Sequence, residues 1–248
     1  MSRLWISSAV FSLLLHFPLA TPFSGPALVA YPGMEVADEL FFRQKVKTFK
    51  LSKEEKKEGF EILFDGTTMS EWMGNTEEYV LEDGCIVMKP VQQGGGNLYT
   101  KGKFDDFVFR FEFMLTAGAN NGLGIRHNMV AADKGYEGME LQILDNEDPQ
   151  YKDLKPYQYH GSVYGYIPAK RGHLKPVGEW NVQEVMAEGD HIKITLNGTV
   201  IVDGNIREAT KDVAKDKIQP AFFNKEGHIA FLGHGSELRF RHIRIKEL

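Results

Sequence analysis

Residues 136–145 read Tyr-Glu-Gly-Met-Glu-Leu-Gln-Ile-Leu-Asp and alternate in character. In an extended chain Met139, Leu141 and Ile143 fall on one side and Glu140 and Gln142 on the other. A carboxylate beside an amide on one sheet face can take a proton and hold a hydroxyl. The next polar cluster, His160-Gly161-Ser162-Val163-Tyr164-Gly165-Tyr166, adds an imidazole, hydroxyls and aromatic rings, the groups that hold a sugar-like polar ligand.

The elements that must position these groups are strands. Phe107, Phe109, Phe111 and Phe113 share one face of the run 107–115, with Arg110 and Glu112 on the other, so one side of that sheet is apolar and one polar. Leu123 to His127 and Met139 to Leu144 follow the same plan. Asp83-Gly84 and Asn197-Gly198 sit between alternating runs as two-residue hairpin turns. A parity change near Arg241 and His242 marks a bulge. Residues 146–178 hold several Pro, Tyr and Lys but few alternating runs, and read as a long functional loop. Ser52-Lys53-Glu54-Glu55 is a capping box that starts a helix of about two turns, ending near Gly59. About twelve short strands with almost no helix predict an all-β, two-sheet sandwich of the jelly-roll kind.

With 248 residues, 42% of them hydrophobic, the chain can bury a full core without metal or disulfide. Its net charge of −5 gives no basic field for phosphate backbones, which argues against nucleic acid as a partner. Arg3 followed by the apolar Leu4 to Leu19 and small residues through Ala30 reads as a secretory signal, cleaved after Ala20, Ala27 or Ala30. An uncleaved anchor is the alternative, and Pro18, Pro22 and Pro26 argue against it. The expected organisation is a signal at 1–30, a linker and short helix at 31–58 and one sandwich domain at 59–248. Export to the periplasm or the medium follows, with no membrane span once the signal is removed. The single cysteine, Cys85, excludes an internal disulfide and reads as a buried, inert strand residue.

A set of landmarks recurs in order: Phe64-Asp65-Gly66-Thr67-Thr68 with Trp72, Glu82-Asp83-Gly84, Asp106-Phe107, Asn121-Gly122-Leu123-Gly124-Ile125-Arg126, Glu137 to Asp145, Trp180-Asn181, Leu196-Asn197-Gly198, Gly233-His234-Gly235 and Phe240 to Ile245. Together they resemble the 3-keto-disaccharide hydrolase family over about residues 59–248. The resemblance implies a concanavalin A-like sandwich of the lectin/glucanase type. It also implies cleavage of glycosides whose sugar has first been oxidised at C3 by a separate enzyme, hence a functional link to a sugar 3-dehydrogenase.

A ketone at C3 acidifies the hydrogen on C2, and the glycosidic oxygen on C1 lies β to the resulting carbanion. Elimination then breaks the bond, and addition of water gives net hydrolysis. Such chemistry needs a base, a stabiliser for the enolate oxygen and an acid for the leaving group. Glu140 is the first candidate for base or metal-supporting carboxylate, against a plain polar-face residue. Arg126 could stabilise the enolate, with Gly122 and Gly124 clearing room for the ligand, or form a structural salt bridge to Glu140 or Glu112. His160 could move protons or be a surface loop histidine. Gln142, Tyr164 and His234 are candidates for holding substrate. Asp145 could join them or cap a loop. Trp72 and Trp180 could be sugar platforms or core.

The histidines show no zinc spacing, so no cofactor is assigned. A divalent cation on Glu140, Asp145 or carbonyls of 146–160 is compatible with the chain, because oxygen ligands need no fixed spacing. A noncatalytic carbohydrate-binding module is the second reading of function, since the same sandwich often binds sugar without reacting. An ordinary two-carboxylate glycosidase is the third and lacks a well-placed partner for Glu140.

Overall fold

A computed structural model describes residues 47–91, 96–131 and 137–248. The expected leader, residues 1–30, and the stretch to residue 46 lie outside the described residues. Helix α1 (Lys53–Glu58) forms from its capping box: Ser52 Oγ accepts from Glu55 N–H and Glu55 Oε2 accepts from Ser52 N–H, each at 3.0 Å. Then come β1 (Glu61–Phe64), β2 (Trp72–Gly74), β3 (Tyr79–Glu82), β4 (Cys85–Met88), β5 (Asn97–Thr100), β6 (Phe107–Leu115), β7 (Asn120–Asn128) and β8 (Glu137–Leu144). The chain continues with β9 (Trp180–Glu188), β10 (His191–Leu196), β11 (Thr199–Asn205), the short helix α2 (Ile206–Thr210), β12 (His228–Gly233) and β13 (Leu238–Glu247).

An eight-stranded antiparallel sheet has the order β11-β10-β9-β6-β13-β4-β3, with β1 also paired to β13. The second sheet has five strands in the order β2-β5-β12-β7-β8. Asp83-Gly84 and Asn197-Gly198 turn their hairpins with positive φ at both positions, as a type I′ turn requires. The expected bulge lies on β13, where the register shifts between Arg241 and Arg244 and His242 has φ 53°.

Period-two alternation explains the layers. Phe107, Phe109, Phe111 and Phe113 of β6 are fully buried between the sheets with Leu123, Leu141, Ile143 and Phe231 of the facing sheet. The other face of β6 is ionic: Arg110 binds Glu184 at 2.5 Å, and Glu112 binds Arg241 at 2.7 Å and His242 at 3.0 Å. Cys85 is buried on β4, and burial raises its thiol pKa, which leaves it unreactive. Among the described residues no helix is long and apolar enough to cross a membrane.

The long loop is ordered by the sheet edge. Gly161 N–H donates to Gln142 O at 2.7 Å, Gln142 N–H to Ser162 O at 3.0 Å, and Tyr164 N–H to Glu140 O at 2.9 Å. Val163 bridges to Leu141 and joins the core. This segment therefore pairs along β8 as a further short strand would.

Candidate functional site

The outer face of the five-stranded sheet, turned away from the core, carries the candidate chemistry. Register places Gly122 opposite Gln142 and Gly124 opposite Glu140, so both glycines share the face of the two polar residues. Glu140 is only 5% exposed. A Cβ built on Gly122 would lie 2.9 Å from Glu140 Cγ and Cδ, so the absent side chain of Gly122 makes room for this carboxylate. Neighbouring strands complete the floor with Met73, Tyr99, Ala230 and Leu232, a small apolar cluster separate from the main core.

His234 follows β12 and reaches this face, in keeping with its place between two glycines. Its Nε2 stands 3.4 Å from Glu140 Oε1, and its side chain is 37% exposed where that of Glu140 is 4% exposed. A solvent-facing imidazole thus abuts a covered carboxylate. Gln142 lies on the same face, its Oε1 accepting from Ile143 N–H at 3.0 Å. Tyr164 stands beside Glu140 through its backbone, and its hydroxyl accepts from Gln158 at 2.8 Å.

Arg126 is not in this group. The register of β7 against β8 shifts between Ile125 and Asn128, and Arg126 has φ 53°, so the bulge throws its side chain off the Glu140 face. The guanidinium donates to Asp105 O and Gly189 O at 2.7 Å each and to Asp106 Oδ1 at 2.8 Å. It is a structural clamp, but neither Glu140 nor Glu112 is its partner. Arg126→Ala should cost about 2–3 kcal/mol by leaving these acceptors unpaired. Turnover per folded molecule should stay within a few-fold of native. A hundredfold drop in kcat with an unchanged melting curve would return Arg126 to the chemistry.

The bulge brings His127 out instead, although simple alternation places it with the core. A Cβ on Gly124 would meet its ring at 2.8 Å, and one on Gly138 would meet it at 2.8 Å from Cγ and Nε2. The gap left by Gly124 is therefore filled from within by this ring, not kept open for ligand. Small residues clustered on one face of adjacent strands were the signal that could have revealed it. His127 Nε2–H donates to Met139 O at 3.1 Å, and burial pushes its pKa down to about 4.

His160 also departs from expectation. It is buried between the sheets, stacked 5.0 Å from Phe113, with Leu144 N–H directed at Nδ1 at 3.4 Å and Nε2–H donating to Gln183 Oε1 at 3.0 Å. The strand-like pairing of 161–164 with β8 draws it inward, so it is neither a surface loop residue nor beside Glu140. Burial lowers its pKa to about 4, opposed by the Gln183 hydrogen bond. Asp145 serves as the loop cap, accepting from Gly118 N–H at 2.9 Å and Glu147 N–H at 3.3 Å. Trp180 lies on the outer face of the other sheet under the Arg241 guanidinium at 3.8 Å. Trp72 is core, stacked on Phe231. Among the described residues no three His, Cys, Asp or Glu side chains converge as a metal donor set.

The two depressed histidines fix a pH dependence. Their folded pKa values near 4 lie below the ordinary value of about 6.5, so between those limits the unfolded chain holds more protons. Stability is then fully present above about pH 6.5 and is lost as pH falls toward about 4. The melting temperature should decline steadily from pH 7 to pH 4.5, and His160→Asn should flatten that slope. A flat native profile would contradict the burial of both rings.

The profile of a family described as 3-keto-alpha-glucoside-1,2-lyase-like domain matches residues 59–246. A Bacteroides thetaiotaomicron protein named 3-keto-disaccharide hydrolase is 29% identical over 230 residues, spanning 77% of this chain and 79% of its own. Two Parabacteroides distasonis structures, provisionally assigned as glycosyl hydrolases, share the fold. One superposes with a TM-score of 0.70 at 22% identity over 82% of this chain and 100% of its own. The other gives 0.63 at 25% identity over 76% and 99%.

Proposed function

The chain belongs to the 3-keto-alpha-glucoside-1,2-lyase-like domain family, and from that membership we propose that it cleaves 3-keto-glycosides, 3-keto-disaccharides among them. The observation that carries a catalytic role for this face is Glu140, a carboxylate almost withdrawn from water yet abutted by the solvent-facing His234. A carboxylate held in place on a rigid strand is a preorganised base, and a neighbouring imidazole gives its proton a way out.

In this reading Glu140 takes the C2 proton. The C–H electron pair becomes the C1–C2 double bond as the C1–O bond breaks, and the leaving oxygen takes a proton that His234 is placed to relay. Water then adds at C1 and a proton returns to C2, giving net hydrolysis. Gln142 holds a sugar hydroxyl on the same face. The substrate's ketone arises by oxidation of the C3 hydroxyl, so a sugar 3-dehydrogenase would act first. The apolar leader at 4–19 supports export, which cell fractionation would check.

The test is incubation of the purified protein with a 3-keto-disaccharide and, separately, with its unoxidised parent. Release of the reducing sugar from the oxidised form alone is expected. Equal cleavage of both would overturn the elimination reading, and binding without turnover of either would favour a carbohydrate-binding module.

A further inference from the structure

We propose that His127 is a positioning residue of this site, holding the peptide that carries Glu140 so that its carboxylate lies over Gly122. The proposal rests on the reading of Glu140 given above. Alternation along β7 would send residue 127 toward the core with Leu123 and Ile125. The register shift and the left-handed backbone at Arg126 turn it onto the Glu140 face instead. Such a conformation is uncommon for an arginine and persists where surrounding contacts enforce it.

Two neighbouring strands are shaped to receive the ring. Gly124 on β7 and Gly138 on β8 both lack a side chain where the imidazole lies, and Gly138 has φ 145°, which residues with a side chain rarely adopt. The ring is fully buried. A phenyl ring would fill this volume as well. What the imidazole adds is Nε2–H aimed at Met139 O, 3.1 Å away. That carbonyl belongs to the peptide whose nitrogen is Glu140's own, so the bond fixes the plane from which the Glu140 side chain departs.

From the other side, Tyr164 N–H holds the next carbonyl, Glu140 O, at 2.9 Å. The Glu140 backbone is thus pinned on two successive carbonyls by two different partners. Burial keeps the ring neutral, and it makes this bond with its one N–H. A base displaced by about 1 Å from its proton can lose on the order of 10²-fold in rate, so such pinning matters for chemistry.

The test compares His127→Ala, His127→Gln, Glu140→Gln and the double variant Glu140→Gln/His127→Ala on a 3-keto-disaccharide. Protein labelled with ¹³C at Glu side chains reports the Glu140 carboxyl carbon, identified by its absence in Glu140→Gln. His127→Ala should lower kcat about tenfold or more with KM within about threefold, and should move the Glu140 carbon signal. His127→Gln, which keeps an N–H donor, should recover most of both. The double variant should be no slower than Glu140→Gln alone, because His127 acts through Glu140.

A double variant slowed by the full additional factor, or an unmoved Glu140 signal in His127→Ala, overturns the proposal. Full activity in Glu140→Gln overturns the reading of Glu140 and this proposal with it; a moved signal in that case locates the failure in the chemistry, not in the geometry. Should His127→Ala not fold, Gly124→Ala, whose Cβ pushes on the ring, should give the same kcat loss and signal shift.

Discussion

Glu140→Gln should cut kcat on a 3-keto-disaccharide by about 10²- to 10³-fold, the usual scale for removing a general base. Glutamine keeps the shape that lies over Gly122 and the partner at His234. The melting temperature should therefore stay within about 2 °C of native, and KM should change little. Steady-state kinetics on both proteins, with a thermal melt of each, checks this. A substrate deuterated at C2 should react more slowly with the native protein where proton transfer limits the rate. Full turnover by the variant would leave Glu140 as a packed residue of a polar face with no part in the reaction.

The largest effect on stability should come from Phe231→Ala. Phe231 is fully buried and is the ring where the two sheets meet: it stacks on Phe240 at 3.7 Å, on Trp72 at 5.4 Å and against Phe111 at 5.9 Å. Removing it leaves a cavity walled by aromatic rings that cannot collapse into it, at a cost of about 3–5 kcal/mol. A domain of this size should then melt roughly 10 °C lower. Phe231→Leu should recover a large part of the loss, since most of the volume returns. Denaturant titration of the three proteins measures it, and a change under about 1 kcal/mol would mean that the cavity closes.

Much of the sandwich is legible along the chain because its signals are local. The Phe107 to Phe113 alternation, the Asp83-Gly84 and Asn197-Gly198 turns and the Ser52 capping box each depend on a few neighbouring residues, and each forms as the pattern predicts. Glu140, Gln142 and His234 come together for a related reason: strand parity places the first two, and flanking glycines the third. The Arg126 and His127 exchange is hidden because one left-handed residue reverses parity, and an arginine does not announce it. His160 escapes a local reading because its partners, Gln183 and Phe113, are distant in sequence, and loop composition says nothing of them. Trp180 has the chemistry of a sugar platform, but which sheet its strand joins is a matter of topology, not of local pattern.

The place of β13 in the eight-stranded sheet has a consequence for how the protein is made. This strand pairs with β6 on one side and with β4 and β1 on the other, so residues near position 61 wait for partners near position 245. A nascent chain that has not reached Leu238 lacks the strand that joins the two halves of that sheet. Loop closure over such separations makes folding slow, and the inner edges of β4 and β6 stay unpaired until synthesis has passed that point. During this interval the unpaired strand edges are open to pairing with other chains, so it is the interval in which a chaperone would be needed.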